Sequence, residues 1–291
     1  MISRYYGSVE AGGTKFVCAV GDEQGRVFDQ IQFPTENVKK TLRKVIDYFL
    51  ENPVSAIGVA SFGPIQICQD ASDYGFITRT PKHGWRQTNV VGTLKRSLHV
   101  PIYWTTDVNG AAFGEYVERR KQKPGLNSLV YYTIGTGVGA GCMINGKFLG
   151  GVGHPEMGHV LVKRHPDDVS FAGICPFHGD CLEGLVSGPT FKARLGISGE
   201  NVLLNHPVWR IMSYYVAQAV VQTTLTIRPE RIVFGGSVSN ETFLNMVREE
   251  LTQLLNGYVE IPPLEKYISS PIIPENGSAT FGNLLLAKSI I

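Results

Sequence analysis

The chain has 291 residues, of which 43% are apolar and 18% charged, with 27 basic against 25 acidic side chains and a formal net charge of +2. This composition supplies a core and carries no disorder signature, and it lacks the concentrated basic character that would point to nucleic acid. No apolar run approaches the roughly 20 residues that cross a bilayer, and the segment Met1 to Tyr6 has no signal-peptide core, so a cytoplasmic location with no membrane partner is expected.

In chain order, residues 5–10 read as a strand, 11–14 as a glycine turn, 15–20 as a second strand and 21–25 as another turn. A helix is predicted over 36–51, because Val38, Leu42, Val45, Ile46, Phe49 and Leu50 fall on one helical face. Residues 56–60 suit a buried strand that ends at Ser61-Phe62-Gly63-Pro64. A helix over 88–98 and a strand over 101–105 complete an α/β alternation with a largely parallel sheet. The pattern then restarts with a helix at 107–121, a break at Lys123-Pro124-Gly125, a strand at 129–134, a turn at 135–139 and a strand at 140–144. Residues 10–15 and 134–139 are both strand–glycine turn–strand units, which suggests a duplicated domain. Helices at 207–227, 240–255 and 278–289 follow, with a strand at 231–234.

The glycine turns carry a chemical expectation. A triphosphate concentrates charge, and converging backbone N–H groups hold it without side-chain bulk. Gly12, Gly13, Thr14 and Lys15 fit this use, as do Gly135, Thr136 and Gly137; Gly235 and Gly236 end a strand just before a helix. None of these is a Walker A or a dinucleotide fingerprint. A nucleotide site with a phosphate loop from each half fits better.

Asp107 stands where a strand gives way to a helix, which suits either a helix cap or a general base on an attacking hydroxyl. Glu156 and Glu183 lie near His159 in a stretch rich in Gly and Pro, a combination that suits a ligand with many hydroxyls.

There are five cysteines, and an odd number in a chain of this length argues against a disulfide framework. Cys18, Cys68 and Cys142 read as buried small hydrophobes. Cys175, His178 and Cys181 recur every three residues and offer zinc ligands; the fourth is His154, His159 or His165, among which spacing does not choose. Four protein ligands make such a zinc structural, pinning the Glu156 and Glu183 segments together.

These motifs together resemble the ROK family (repressor, open reading frame, kinase). They are Glu-Ala-Gly-Gly-Thr-Lys at 10–15, Thr-Asp-Val-Asn-Gly-Ala-Ala at 106–112, Ile-Gly-Thr-Gly-Val-Gly-Ala-Gly at 134–141, Glu-Met-Gly-His at 156–159 and Cys-Pro-Phe-His-Gly-Asp-Cys-Leu-Glu at 175–183. The last of these, with Ala-Ser-Phe-Gly-Pro at 60–64, is most similar to the bacterial fructokinases of that family. The resemblance implies an actin-like (ribonuclease H-like), duplicated two-domain α/β fold with its site in the interdomain cleft. The first domain would comprise 1–106 and 278–291, the second 107–277 with a zinc-binding insertion. It implies ATP with Mg2+, Asp107 as base, and sugar contacts from Gly63, Asp107, Glu156, His159 and Glu183. Glu10 stands where the family's first loop usually has Asp, and its longer carboxylate can face magnesium through water. The family's zinc histidine falls on His159, which can serve zinc and sugar through different ring nitrogens. The family's usual Asn before the catalytic aspartate is Thr106 here.

The resemblance thus implies phosphorylation of fructose at its 6-hydroxyl, with glucokinase, mannokinase or N-acetylmannosamine kinase activity as alternatives, and a homodimer. A sugar-sensing repressor of the same family would carry an N-terminal helix-turn-helix, for which a first glycine motif starting at residue 10 leaves no room. A zinc-stabilised binding protein without catalysis is the remaining alternative.

Overall fold

A computed structural model describes residues 4–275 and 277–291. The chain divides into two compact units, the first comprising Met1–Pro124, Phe148–His154 and Ile273–Ile291, the second Gly125–Lys147 and Pro155–Ile272.

In the first unit, β1 (Tyr6–Ala11) and β2 (Lys15–Gly21) form an antiparallel hairpin, and β3 (Val27–Pro34) pairs antiparallel with β2. Helix α1 (Val38–Glu51) starts at Asn37, whose side chain accepts from the Lys40 N–H, and buries Leu42, Val45, Ile46 and Phe49. Strand β4 (Ala56–Ser61) runs parallel to β1. A short antiparallel pair follows, β5 (Phe76–Ile77) with β6 (Thr88–Asn89), then helix α2 (Val90–Leu98). Strand β7 (Ile102–Thr106) runs parallel to β4 and leads into helix α3 (Asp107–Gln122). The sheet order is β3-β2-β1-β4-β7. The central strands β1 and β4 are almost wholly buried, as expected of a sheet covered on both faces.

In the second unit, β8 (Ser128–Ile134) and β9 (Val138–Ile144) form the second hairpin, with β10 (Lys147–Phe148) beyond β9. The short helices α4 (Leu182–Val186) and α5 (Pro189–Leu195) precede the long α6 (Val208–Thr226). Strand β11 (Ile232–Gly235) is parallel to β8, and α7 (Glu241–Leu255), α8 (Leu264–Tyr267) and β12 (Ile268–Ser269) follow, with β12 parallel to β11. The sheet order β10-β9-β8-β11-β12 repeats that of the first unit. This is the duplication suggested by the two glycine hairpins, in the actin-like α/β plan that the family resemblance implies.

The last helix, α9 (Ser278–Lys288), returns to the first unit. It packs on α3 so closely that a Cβ at Gly282 would lie 2.0 Å from the Gly110 carbonyl oxygen, and one at Gly114 2.2 Å from that of Ser278. This contact puts α3 in the first unit, so the division falls after Pro124 and not at the expected 106/107. Two further details differ from expectation. Cys68 is exposed while Cys18 and Cys142 are buried, because Cys68 lies in the connection beyond β4 and not in a strand. β3 lacks the buried face that marks a strand in sequence: of its eight residues only Phe33 is buried. Among the described residues, no helix is long and apolar enough to cross a membrane.

Candidate active site and metal centre

In the first unit, Ala11 pairs with Ser61 and Ser61 with Thr106, so β1, β4 and β7 end level. Just beyond those ends lie the Gly12–Lys15 turn, Gly63 and Asp107. The carboxyl ends of parallel strands are where ligands bind in open α/β sheets. The turn closes by a bond from the Gly12 N–H to the Lys15 carbonyl, 3.0 Å, and a Cβ at Gly12 would stand 2.7 Å from that oxygen. Thr35 braces it, donating its N–H to Thr14 O at 2.9 Å and its hydroxyl to Gly12 O at 2.7 Å. The Lys82 ammonium donates to Gly13 O. The turn's carbonyls are thereby drawn toward protein donors, while a Cβ built at Gly13 would meet nothing within 4 Å. The Lys15 ammonium reaches Gln32 on β3 instead, 3.1 Å away. Gly63 follows Phe62, whose N–H bonds Ala11 O at 2.8 Å and so ties the end of β4 to the end of β1.

Asp107 is the first residue of α3 and not its cap. Thr106 caps the helix, its hydroxyl accepting from the Asn109 N–H at 3.2 Å. One Asp107 oxygen accepts from the Val108 N–H at 2.9 Å, and the helix start favours a negative charge there. Glu10, half-buried at the end of β1, is pushed up from 4.5 to about 7 by burial and by the Asp107 charge, with Lys15 pulling the other way. Two carboxylates in this relation suit a hard cation with oxygen ligands.

In the second unit the Gly135–Gly137 turn closes by a bond from the Gly135 N–H to Gly137 O, 2.9 Å, with Thr136 at its centre. A Glu183 oxygen accepts from the Val138 N–H at 3.0 Å, and a Cβ at Gly137 would come within 2.7 Å of it. Gly235 ends the neighbouring strand β11, and Gly236 just after it has φ of +88°, a conformation that L side chains rarely adopt. Glu183 also faces His159, with Oε1 4.0 Å from Nε2. The Glu156 carboxyl, at the start of the turn that carries His159, is raised by burial and by Glu183, against the pull of His159.

The ligand atoms of His159, Cys175, His178 and Cys181 all lie within 4.8 Å of one another. The His159 Nδ1 is 3.4 Å from Cys181 Sγ and 3.7 Å from Cys175 Sγ, and His178 Nδ1 is 3.7 Å from Cys175 Sγ. Zinc bonds of about 2.3 Å to sulfur and 2.0–2.1 Å to nitrogen give a tetrahedral S···N edge of roughly 3.6 Å, so both the donor set and the spacing fit that ion. Cys175 and Gly179 exchange backbone bonds of 3.0 and 2.9 Å, and Gly179 sits at φ +64°. Leu182 N–H bonds Val160 O at 3.0 Å, bringing Cys181 beside His159. Burial, with the Cys175 thiol alongside, pushes Cys181 up to about 11, whereas a bound cation stabilises thiolates.

The other two candidate histidines lie elsewhere. His154 falls in the first unit, where its Nε2 accepts from the Ile65 N–H at 3.4 Å, and His165 accepts from the Asp167 N–H at 3.2 Å. The candidate residues thus gather in two groups. Glu10, Gly12, Gly13, Thr14, Lys15, Gly63 and Asp107 share the strand ends of the first unit; Gly135, Thr136, Gly137, Gly235, Gly236, Glu156, Glu183 and the four metal ligands belong to the second. Sequence reading missed the approach of Lys82 to the first turn. The Pro-Lys-His-Gly-Trp segment at 81–85 was its only local signal.

The model of the ROK family matches residues 6–290. The chain is 50% identical to a fructokinase of Lactococcus lactis subsp. cremoris, over 99% of each chain. It is 51% identical to a fructokinase of Streptococcus mutans, again over 99% of each. Its fold is similar to that of a ROK family glucokinase from Streptomyces griseus solved in complex with glucose and AMPPNP, with a TM-score of 0.76 and 22% identity over 98% of this chain and 99% of that one.

Proposed function

The chain belongs to the ROK family, and from that premise we propose that it is an ATP-dependent hexose kinase that converts D-fructose to fructose 6-phosphate. The observation that carries this reading is the near-full-length identity of about half to fructokinases. Asp107 at the end of β7 supplies a base. Its carboxylate takes the proton of the 6-hydroxyl as that oxygen attacks the γ-phosphorus. The bond from phosphorus to the β,γ-bridging oxygen breaks, and ADP leaves with the electron pair. Such a transition state is loose, so positioning and charge neutralisation do most of the work.

Gly12, Gly13, Thr14, Lys15, Gly135, Thr136, Gly137, Gly235 and Gly236 are the nucleotide contacts that the family resemblance implies. Gly63, Glu156, His159 and Glu183 bind the sugar, where carboxylates accept from hydroxyls in fixed geometry. Glu10 would hold magnesium through water, and the ion would supply charge neutralisation on the phosphates. Zinc on His159, Cys175, His178 and Cys181 fixes the Glu156 and Glu183 segments. The orientation of His159 supports its double use, since Nδ1 faces the thiols and Nε2 faces Glu183. A homodimer and a cytoplasmic location are part of the same reading.

The test is a coupled ADP-release assay with magnesium and ATP across fructose, glucose, mannose and N-acetylmannosamine. Fructose is expected to give the highest kcat/KM. Turnover of another hexose in its place would move the specificity, and no turnover with any of them would sink the kinase reading.

A further inference from the structure

We propose that Lys82 holds the terminal phosphoryl group of ATP over the first glycine turn, as a catalytic residue of the phosphoryl transfer. The inference rests on the kinase reading above and adds a residue to it.

Lys82 sits on a segment fastened to the strand ends. Trp85 is fully buried, its ring 5.5 Å from that of Phe16 on β2 and 5.6 Å from that of Phe62 beside Gly63. Its indole N–H donates to Glu36 O at 3.0 Å. The buried Thr80 accepts from the Lys82 N–H at 3.2 Å, the Lys82 carbonyl accepts from the Trp85 N–H at 3.2 Å, and Arg86 Nε donates to Thr80 O at 2.9 Å. A backbone held at both ends leaves little freedom in where the lysine stem points.

It points at the turn. The ammonium donates to Gly13 O, the carbonyl at the centre of the turn. An ammonium has three donors and no acceptor, and this bond uses one of them on a neutral partner. The positive charge is not neutralised by that contact, and it stands beside a turn whose open side is at Gly13. The same strand ends carry the carboxylates of Glu10 and Asp107. A polyphosphate arriving there needs a cation that does not come from them. Lys15, the lysine within the turn, directs its ammonium to Gln32 on β3.

In the transfer, Lys82 makes and breaks no covalent bond. The sugar oxygen bonds to the γ-phosphorus, the bond to the bridging oxygen breaks, the hydroxyl proton passes to Asp107, and the ammonium offsets charge on the moving phosphoryl oxygens. Loss of one such donor typically lowers kcat by about 10²–10³-fold.

The experiment uses the full-length chain with Lys82→Met, Lys82→Arg and the neighbouring His83→Ala, assayed for ADP release with fructose. Calorimetric titration with Mg-AMPPNP and Mg-ADP accompanies the kinetics. Lys82→Met is expected to lose about 10²–10³-fold in kcat, with the fructose KM little changed and the preference for the triphosphate analogue over ADP reduced. Lys82→Arg should recover part of both, and His83→Ala should show neither loss. Wild-type kcat in Lys82→Met, or an equal loss of affinity for the analogue and ADP, overturns the proposal. The control separates the two readings: a wild-type chain without turnover defeats the kinase assignment, while a wild-type chain that turns over alongside an active Lys82→Met defeats this inference alone.

Discussion

At the head of α3, the Thr106 hydroxyl caps the helix by accepting from the Asn109 N–H, while the Asp107 carboxylate accepts from the Val108 N–H and is not the cap. Capping and chemistry are therefore separable by mutation. Thr106→Ala should lower stability by ~1 kcal/mol in urea unfolding and leave the turnover mechanism in place. Asp107→Asn should keep the melting temperature and lose about 10²–10⁴-fold in kcat. Wild-type turnover in Asp107→Asn would remove the base from the mechanism. Glu10 gives a pH test of the same strand ends. Its carboxyl is raised from 4.5 to about 7, so the folded chain holds that proton more tightly than the unfolded one. The sign follows from proton linkage: stability present below the unfolded value is lost as pH rises toward the folded one. In metal-free protein, stability should fall by up to ~3 kcal/mol across that window, and Glu10→Gln should flatten the fall. A flat profile in the wild type would show that the carboxyl titrates normally.

Elements bring the metal ligands together from two places, a short turn carrying His159 and the loop from Cys175 to Cys181. Cys181→Ser should lose stoichiometric zinc by metal analysis and lower the melting temperature, while EDTA should do the same to the wild type only. Unchanged zinc in the variant would take Cys181 out of the site. The loop was legible in sequence because its ligands are local. Spacing left the fourth ligand open among three histidines; the family resemblance pointed to His159, and the Leu182–Val160 backbone bond brings Cys181 beside it. The same division runs through the rest of the chain. Glycine hairpins, the amphipathic α1 and the apolar β4 write their structure in adjacent residues. β3 does not, being exposed along most of its length, and neither does the bond between Lys82 and Gly13, which spans 69 residues. The boundary at α3 escaped for a similar reason. It depends on a close approach between glycines on helices far apart in the chain, so Gly282→Ala, with its Cβ 2.0 Å from Gly110 O, should cost roughly 1–3 kcal/mol through overpacking.

At the scale of the whole molecule, the repeated strand order shows one plan used twice, but the two copies are not equally self-contained. The second unit is drawn from residues 125–147 and 155–272, and it holds all four metal ligands. The first lacks a wall until α9 arrives. Asn283 donates to Val9 O at 3.2 Å, and a Cβ at Gly58 would stand 2.1 Å from Asn283 O. A chain ending at residue 277 should therefore leave the first unit unfolded by circular dichroism, though zinc would still bind. A cooperative native melt in that truncation would contradict the role given to α9. The position of α9 after the second unit also fixes an order of events during synthesis. Domains usually fold as they leave the ribosome, the N-terminal one first. Here the segment made first must wait for a helix made after the second unit, so the later-made unit can fold while the earlier one still shows β1 and β4 to chaperones.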